Sequence, residues 1–94
     1  MAKYEIIRTT QFKKDLKLAK KRGLNLVDLF NVVGKLIEDI PLPQNNHNHL
    51  LEGEYKGCWE CHIAPDWLLI YKKDKVIKII TLKRTGTHAD LFKE

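Results

Sequence analysis

Hydrophobic and polar residues alternate along the first quarter of the chain in a way that predicts a strand followed by a helix. Tyr4 to Arg8 is short and rich in strand formers, so an opening strand is predicted there. Either Thr9 or Thr10 can cap the helix that follows. The apolar positions of this helix recur at helical spacing: Phe12, Leu16 and Ala19. Gly23 is expected to end it in the left-handed conformation.

A second helix is predicted from the residue after Asn25, which can cap its first turn, to Ile40. Its apolar residues repeat every three or four positions and form a stripe expected to be buried: Leu26, Leu29, Phe30, Val33, Leu36, Ile37 and Ile40. Pro41 and Pro43 end the helix because proline lacks the amide hydrogen that a helix interior requires. Residues 44–51 are polar and turn-prone, which predicts a loop.

Three strands are predicted in the second half of the chain. They span residues 55–63, 67–71 and 76–82. Pro65-Asp66 is predicted as the first turn, and residues 72–75 as the second connection. Thr85-Gly86-Thr87 breaks the strand pattern and leaves a short tail that contains His88 and Phe92.

This order of elements predicts an α+β fold, with an N-terminal strand, a two-helix hairpin and a mainly antiparallel sheet of about four strands. The 94 residues suit a single domain over positions 1–94. No apolar run approaches the roughly 20 residues that span a bilayer, and the N-terminus lacks the apolar core of a signal peptide. We therefore expect a cytoplasmic protein that does not contact membranes.

Positive charge is concentrated at the two ends of the chain. Residues 1–24 hold eight Lys and Arg against two acids, residues 25–54 one against five, and residues 55–94 eight against five. Such segregation suits a surface that binds a polyphosphate, and this binding would weaken with salt. The alternative is that the lysines only keep a helix face solvated.

The histidines are the residues most able to carry chemistry. All lie in the second half, at predicted loops or strand ends: His47, His49, His62 and His88. Because imidazole titrates near neutral pH, two histidines can divide the work of general base and general acid. RNA suits such a set, since its own 2′-hydroxyl attacks the adjacent phosphate once a base takes the proton. A lone histidine would more often be structural.

Lys83 and Arg84 follow the last predicted strand, where an arginine fork can hold a phosphate. For Lys83 an exposed strand end is the simpler interpretation. Phe92 either stacks on an unpaired base or pins the tail against the sheet. Cys58 and Cys61 have C-x-x-C spacing, but side chains three apart on a strand point to opposite faces, which argues against a zinc or redox pair.

Several segments together resemble the YafQ-type toxins of the RelE/ParE superfamily. These are Pro41-Leu42-Pro43, a histidine before Leu51-Glu52-Gly53, Lys56-Gly57, Glu60-Cys61-His62-Ile63 with Pro65-Asp66-Trp67, and Arg84-Thr85-Gly86-Thr87-His88 with Phe92. By position, the resemblance implies a catalytic cluster of His49, His62, Asp66 and His88. It also implies RNA contacts from Arg84 and Phe92, to which the charge pattern adds Lys83. His47 leaves open which loop histidine faces the substrate.

The resemblance further implies a ribosome-dependent endoribonuclease of a type II toxin-antitoxin system that cleaves mRNA in the ribosomal A site. No metal or other cofactor is expected. The expected partner is a ribbon-helix-helix antitoxin of the DinJ/RelB kind, through which the toxin would reach operator DNA. Two alternatives stay open: a non-catalytic DNA gyrase inhibitor of the same fold, like ParE, and an RNA-binding module whose histidines are incidental.

Overall fold

A computed structural model describes residues 3–92, in which two helices cover one face of a sheet and a third, short helix follows the last strand. The elements are β1 (Glu5–Arg8), α1 (Thr10–Lys21), α2 (Leu26–Ile37), β2 (His49–Leu50), β3 (Trp59–Ala64), β4 (Trp67–Asp74), β5 (Ile79–Gly86) and α3 (His88–Phe92). Within the described residues the strands form one sheet in the order β1-β5-β4-β3-β2. Strands β1 and β5 are parallel and the other pairs are antiparallel. The predicted α+β fold is confirmed, with five strands instead of about four.

The helix ends follow the capping residues of the sequence. Thr9 caps α1 by accepting a hydrogen bond from the backbone amide of Phe12 at 3.0 Å. Gly23 ends α1 with φ +79°, as predicted. Helix α2 stops at Ile37, three residues earlier than predicted, because Asp39 takes the left-handed conformation with φ +58° and bonds Lys73. Ile40 therefore lies outside the helix.

The main core lies between the helices and one face of the sheet, which we call the helix face. Phe12 and Leu29, from the two helices, and Leu69 and Ile80, from the sheet, are all buried there. The predicted stripe of α2 is partly wrong, since Phe30 is 55% exposed and Val32 is buried in its place.

The turn between β4 and β5 lies about three residues later in the chain than predicted. Strand β4 continues to Asp74, and the connection occupies residues 75–78 instead of 72–75. The Asp74 carboxylate fixes this turn by accepting hydrogen bonds from the amides of Val76 and Ile77 at 2.9 and 3.1 Å. Val76 is 89% exposed, so its apolar character does not indicate a strand position. Residues 85 and 86 lie inside β5, and the predicted tail is helix α3.

The segment before β3 also differs from the prediction. Residues 53–55 form a 3₁₀ turn and Gly57 has φ +87°, so the strand predicted to begin at Tyr55 begins at Trp59. The loop predicted for residues 44–51 contains a 3₁₀ turn and the short strand β2. This extra strand matters because it brings a histidine into the sheet.

The opposite face of the sheet, which we call the site face, carries a smaller apolar cluster. Its buried members are Cys58, Leu68, Ile70 and Leu91, with Leu51, Tyr55 and Phe92 packed around them. Cys61 belongs to the helix face, so the two thiols of the C-x-x-C segment point to opposite sides, as predicted. Within the described range, no helix is long and apolar enough to cross a membrane.

Candidate active site

Strand register brings two of the predicted catalytic histidines together on the site face. His49 of β2 lies directly opposite Glu60 of β3, and Glu60 and His62 are two residues apart on the same strand. The Nε2 atoms of His49 and His62 lie 3.7 and 3.5 Å from the same Glu60 carboxylate oxygen. Two imidazoles therefore share one carboxylate.

Glu60 is a candidate functional residue that the sequence analysis missed. Its exposed fraction is only 4%, although carboxylates are rarely buried without a partner. It lies in the middle of the C-x-x-C segment, which directed attention to the two thiols. The signal was its position two residues before His62, which places both side chains on one face of any strand.

The third predicted histidine reaches the site through the β3–β4 turn. The Oδ1 atom of Asp66 accepts hydrogen bonds from the backbone amide of His88 at 3.1 Å and from its ring Nδ1 at 2.7 Å. The hydrogen bond from His88 lowers the pKa of Asp66 below its ordinary range. The His88 ring lies edge-on to the ring of His62, with 5.7 Å between centroids. The structure thus brings all four predicted catalytic residues to one edge of the site face.

The loop before β2 is tied to the sheet by side-chain hydrogen bonds. Asn46 donates to the carbonyl of His62 at 2.6 Å, and Tyr71 donates from its hydroxyl to Asn48 at 2.7 Å. The Nδ1 of His49 lies 2.6 Å from the carbonyl of His47, so this nitrogen carries the proton.

His47 also belongs to this region. Its ring centroid lies 5.1 Å from that of His62, so both loop histidines lie at the site. A cavity of about 540 Å³ lies beside them; it is lined by Asn45, Asn46, His47, His62, Ile63, Ala64 and Pro65. Such a volume suits a nucleobase or sugar.

The three residues predicted to contact RNA lie in different surroundings. Arg84 donates from Nε and Nη2 to the buried carboxylate of Asp15 at 2.7 and 3.2 Å, which raises the pKa of the guanidinium. A phosphate contact from Arg84 would therefore use the other edge of the fork. Lys83 is half-buried in β5, and its carbonyl accepts from Thr9. Phe92 packs edge-on against Tyr55, with 5.8 Å between centroids, and its ring centroid lies 6.4 Å from that of His88.

Glu60, His62 and His88 are also the residues best placed to hold a metal ion. One ligand atom from each lies within 4.8 Å of the others. Two imidazoles and a carboxylate suit zinc, copper or nickel. Neither cysteine belongs to this group. An ion bound there would occupy two of the predicted catalytic imidazoles.

Comparison with known proteins shows which family the chain belongs to. Residues 4–93 match the family described as "Bacterial toxin of type II toxin-antitoxin system, YafQ". The chain belongs to the YafQ family. It is similar to the mRNA interferase toxin YafQ of Escherichia coli K12, with 41% identity over 93 residues that cover 98% of this chain and 99% of the relative.

Solved structures of the family agree with the fold described above. The E. coli DinJ-YafQ toxin-antitoxin complex contains a chain similar to this one, with 41% identity, a TM-score of 0.87, and coverage of 96% of this chain and 98% of that chain. A metal-bound toxin from Helicobacter pylori has 39% identity, a TM-score of 0.88, and coverage of 98% and 100%. The fold of this YafQ family member therefore matches that of solved toxins along nearly its whole length.

Proposed function

We propose that this YafQ family member is an mRNA interferase, an endoribonuclease that cleaves mRNA on the ribosome as the toxin of a type II toxin-antitoxin system. One observation carries the proposal: the rings of His62 and His88 lie 5.7 Å apart, and each has a carboxylate beside it. The two rings are in edge-to-face contact, so one phosphodiester lying across both of them can reach an imidazole of each pair. The name of the E. coli relative, mRNA interferase toxin, supports the same substrate.

The proposed reaction uses a nucleophile supplied by the RNA itself. A general base takes the proton of the 2′-hydroxyl, and the 2′-oxygen attacks the adjacent phosphorus. The new bond joins the 2′-oxygen to phosphorus as the bond from phosphorus to the 5′-oxygen breaks. A general acid then protonates the departing oxygen. The products are a 2′,3′-cyclic phosphate and a 5′-hydroxyl, and the chemistry requires no metal.

The two imidazole–carboxylate pairs divide this work. Asp66 accepts from Nδ1 of His88, which orients the ring and leaves proton exchange with the RNA to Nε2. His62 contacts the same phosphate with its ring, beside the carboxylate of Glu60. His49 shares Glu60 and supports the developing charge on the phosphate. Arg84 and Phe92 contact the flanking phosphate and base, and Lys83 adds positive charge.

The ribosome and an antitoxin are the proposed macromolecular partners. Six exposed cations of the segment before Gly23 supply a basic surface suited to ribosomal RNA: Lys13, Lys14, Lys17, Lys20, Lys21 and Arg22. The similar E. coli chain is solved in complex with DinJ. By this likeness we propose a ribbon-helix-helix antitoxin for this chain, with operator DNA bound only through the complex.

The decisive experiment measures cleavage of a defined mRNA on purified ribosomes paused at a known codon. The native protein is expected to cut the message in the A site and to leave a 5′-hydroxyl. His88→Gln and His62→Gln should each lower the cleavage rate about 10²- to 10⁴-fold. Lys75→Gln, in the exposed β4–β5 turn, is the control and should cut at the native rate.

Three results would contradict the proposal. Undiminished cleavage by both histidine variants would exclude the site, and cleavage of naked RNA at the same rate would exclude ribosome dependence. Uncut messages accompanied by broken DNA in cells expressing the chain would instead identify a gyrase inhibitor. Circular dichroism of each variant establishes that lost activity is not lost folding.

A further inference from the structure

Arg22, the last residue before the glycine that ends α1, reaches across the molecule to α3. Its Nη1 and Nη2 atoms donate to the two carboxylate oxygens of Asp90 at 2.6 and 3.3 Å. The two residues are 68 positions apart in sequence. A two-point arginine–carboxylate contact restricts orientation as well as distance. The end of the first helix thus holds the element that begins with His88.

The same carboxylate organises the first turn of α3. Asp90 Oδ2 accepts from the backbone amide of Thr87 at 3.0 Å, and the Asp90 amide donates to the Thr87 hydroxyl at 3.1 Å. This reciprocal pair resembles the capping box that begins many helices. The hydrogen bond from Arg22 lowers the pKa of Asp90 far below its usual range. Asp90 therefore stays ionised and connects the cap to α1.

Gly86 shows how closely α3 lies on the sheet. It shares a row of the site face with Leu68 and His62, since Leu68 pairs with both. A Cβ atom at Gly86 would lie 2.9 Å from Asp90 Oδ2, which is closer than real Cβ atoms come to other atoms. The missing side chain lets α3 settle beside His62 with Asp90 directly over the strand.

We propose that Arg22 and Asp90 are positioning residues that set the orientation of the His88 imidazole toward His62. The proposal rests on the proposed role of His88 in proton transfer. Asp66 holds His88 from the β3–β4 turn, and Asp90 holds the preceding Thr87 from the α1 side. With both carboxylates bound, the short helix cannot rotate about either contact alone. Without Arg22, the Asp90 carboxylate that binds Thr87 is no longer held by α1.

A contribution to overall stability would not account for this pair. Arg22 and Asp90 are 40% and 27% exposed, and solvated ion pairs add little to folding. The chain offers a matched control in the Lys73–Asp39 pair, which joins at 2.7 Å and is also partly exposed, but connects the segment after α2 to β4 and not to α3. A positioning role predicts that only the first pair affects the site.

The test compares Arg22→Gln and Asp90→Asn with Asp39→Asn in the full chain. Histidine ring signals are followed by ¹H–¹³C NMR, and single-turnover cleavage is measured on programmed ribosomes. Both site variants are expected to shift and broaden the His88 ring signals while those of His49 stay in place. Their cleavage rate should fall roughly tenfold at saturating ribosomes, as expected when a catalytic group loses its orientation. Arg22→Lys should restore part of the rate, and Asp39→Asn should change neither readout.

Three outcomes count against the proposal. Unchanged His88 signals in both site variants would overturn it, whatever the activity. Loss of rate in Arg22→Gln alone would assign Arg22 to RNA contact, because Asp90→Asn removes no positive charge. Equal effects in Asp39→Asn would reduce the pair to general stability. If the native protein cleaves nothing, the proposed function fails, while the NMR comparison still decides whether this pair orients His88.

Discussion

The two faces of the sheet differ in what their side chains do: the helix face holds the main apolar core, and the site face holds the candidate active site. The helix face buries large apolar side chains from α1, α2, β4 and β5 in one continuous core. Among the described residues, the site face has four buried cluster members, and next to them it holds a buried carboxylate and a row of imidazoles. Adjacent residues of β3 show the contrast directly, since Cys61 is fully buried in the core while His62 faces the site.

This difference shows how a chain of 94 residues can keep a polar site without losing its fold. Burial of apolar area on the helix face provides most of the stability, so the site face can hold groups whose burial is unfavourable. Substitutions on the helix face should therefore change the free energy of unfolding. Substitutions on the site face should change activity while the protein stays folded.

The largest expected effect is on the helix face. Phe12→Ala removes a ring that is 2% exposed and should lower the free energy of unfolding by about 3–5 kcal/mol. Phe30→Ala makes the same change at a ring that is 55% exposed and should cost less than about 1 kcal/mol. Urea unfolding of both variants measures the difference. Equal costs would show that the helix face does not dominate stability.

Glu60→Gln tests the site face. The variant keeps the shape of the side chain but removes the negative charge beside His62 and His49. We expect the cleavage rate to fall about tenfold to a hundredfold, less than the roughly 10²- to 10⁴-fold for a lost acid or base. Unfolding in urea should change little. Glu52→Gln, at an exposed position, is the matched control. A full cleavage rate in Glu60→Gln would remove this carboxylate from the mechanism.

The two cysteines allow the local stability of the two faces to be compared. Burial raises the pKa of Cys61, on the helix face, to about 12. Cys58 belongs to the smaller cluster, which should open more often. In single-thiol variants made with Cys58→Ala or Cys61→Ala, iodoacetamide should label Cys58 roughly tenfold faster than Cys61. Rates in denaturant provide the reference, and a faster Cys61 would reverse the order of local stability.

The smallest expected effect is the dependence of stability on acidic pH through Asp66. Because His88 lowers the pKa of Asp66 below its ordinary 3.8, the pairing stabilises the folded state above that pH. This contribution is lost as the pH falls through the lowered value. The free energies of unfolding of the native chain and Asp66→Asn should therefore differ near pH 6, and the difference should shrink as the pH falls below about 4. A difference that stays constant as the pH is lowered from 6 to 2 would exclude the ionised pair as its cause.

Local signals in the sequence predicted much of the fold. The caps at Thr9 and Asn25, the stop at Gly23 and the turn at Pro65-Asp66 act over a few residues, and all appear in the structure. Errors arose where a distant or polar contact overrode the apolar pattern. Val76 and Ile77 look like strand residues, yet the Asp74 carboxylate bonds their amides in a turn.

The candidate site was predictable as a set of residue types but not as an arrangement. The histidines and Asp66 stand in segments that resemble a known family, so their chemistry was visible in the sequence. The role proposed for Glu60 was not visible, because it depends on Glu60 facing His49 across the β2–β3 pair. Strand β2 had been predicted as part of a loop. The Arg84–Asp15 contact joins residues 69 positions apart, and no local pattern indicates it.

The sequence by itself determined the fold class, the two long helices and the main strands in their order, the family, and the residues able to move protons, because these depend on neighbouring residues and recognisable segments. Only the tertiary structure decided which carboxylate serves which imidazole and how α1 holds α3. Those contacts depend on strand register and on close approach at Gly86. Both are set by how the whole chain packs.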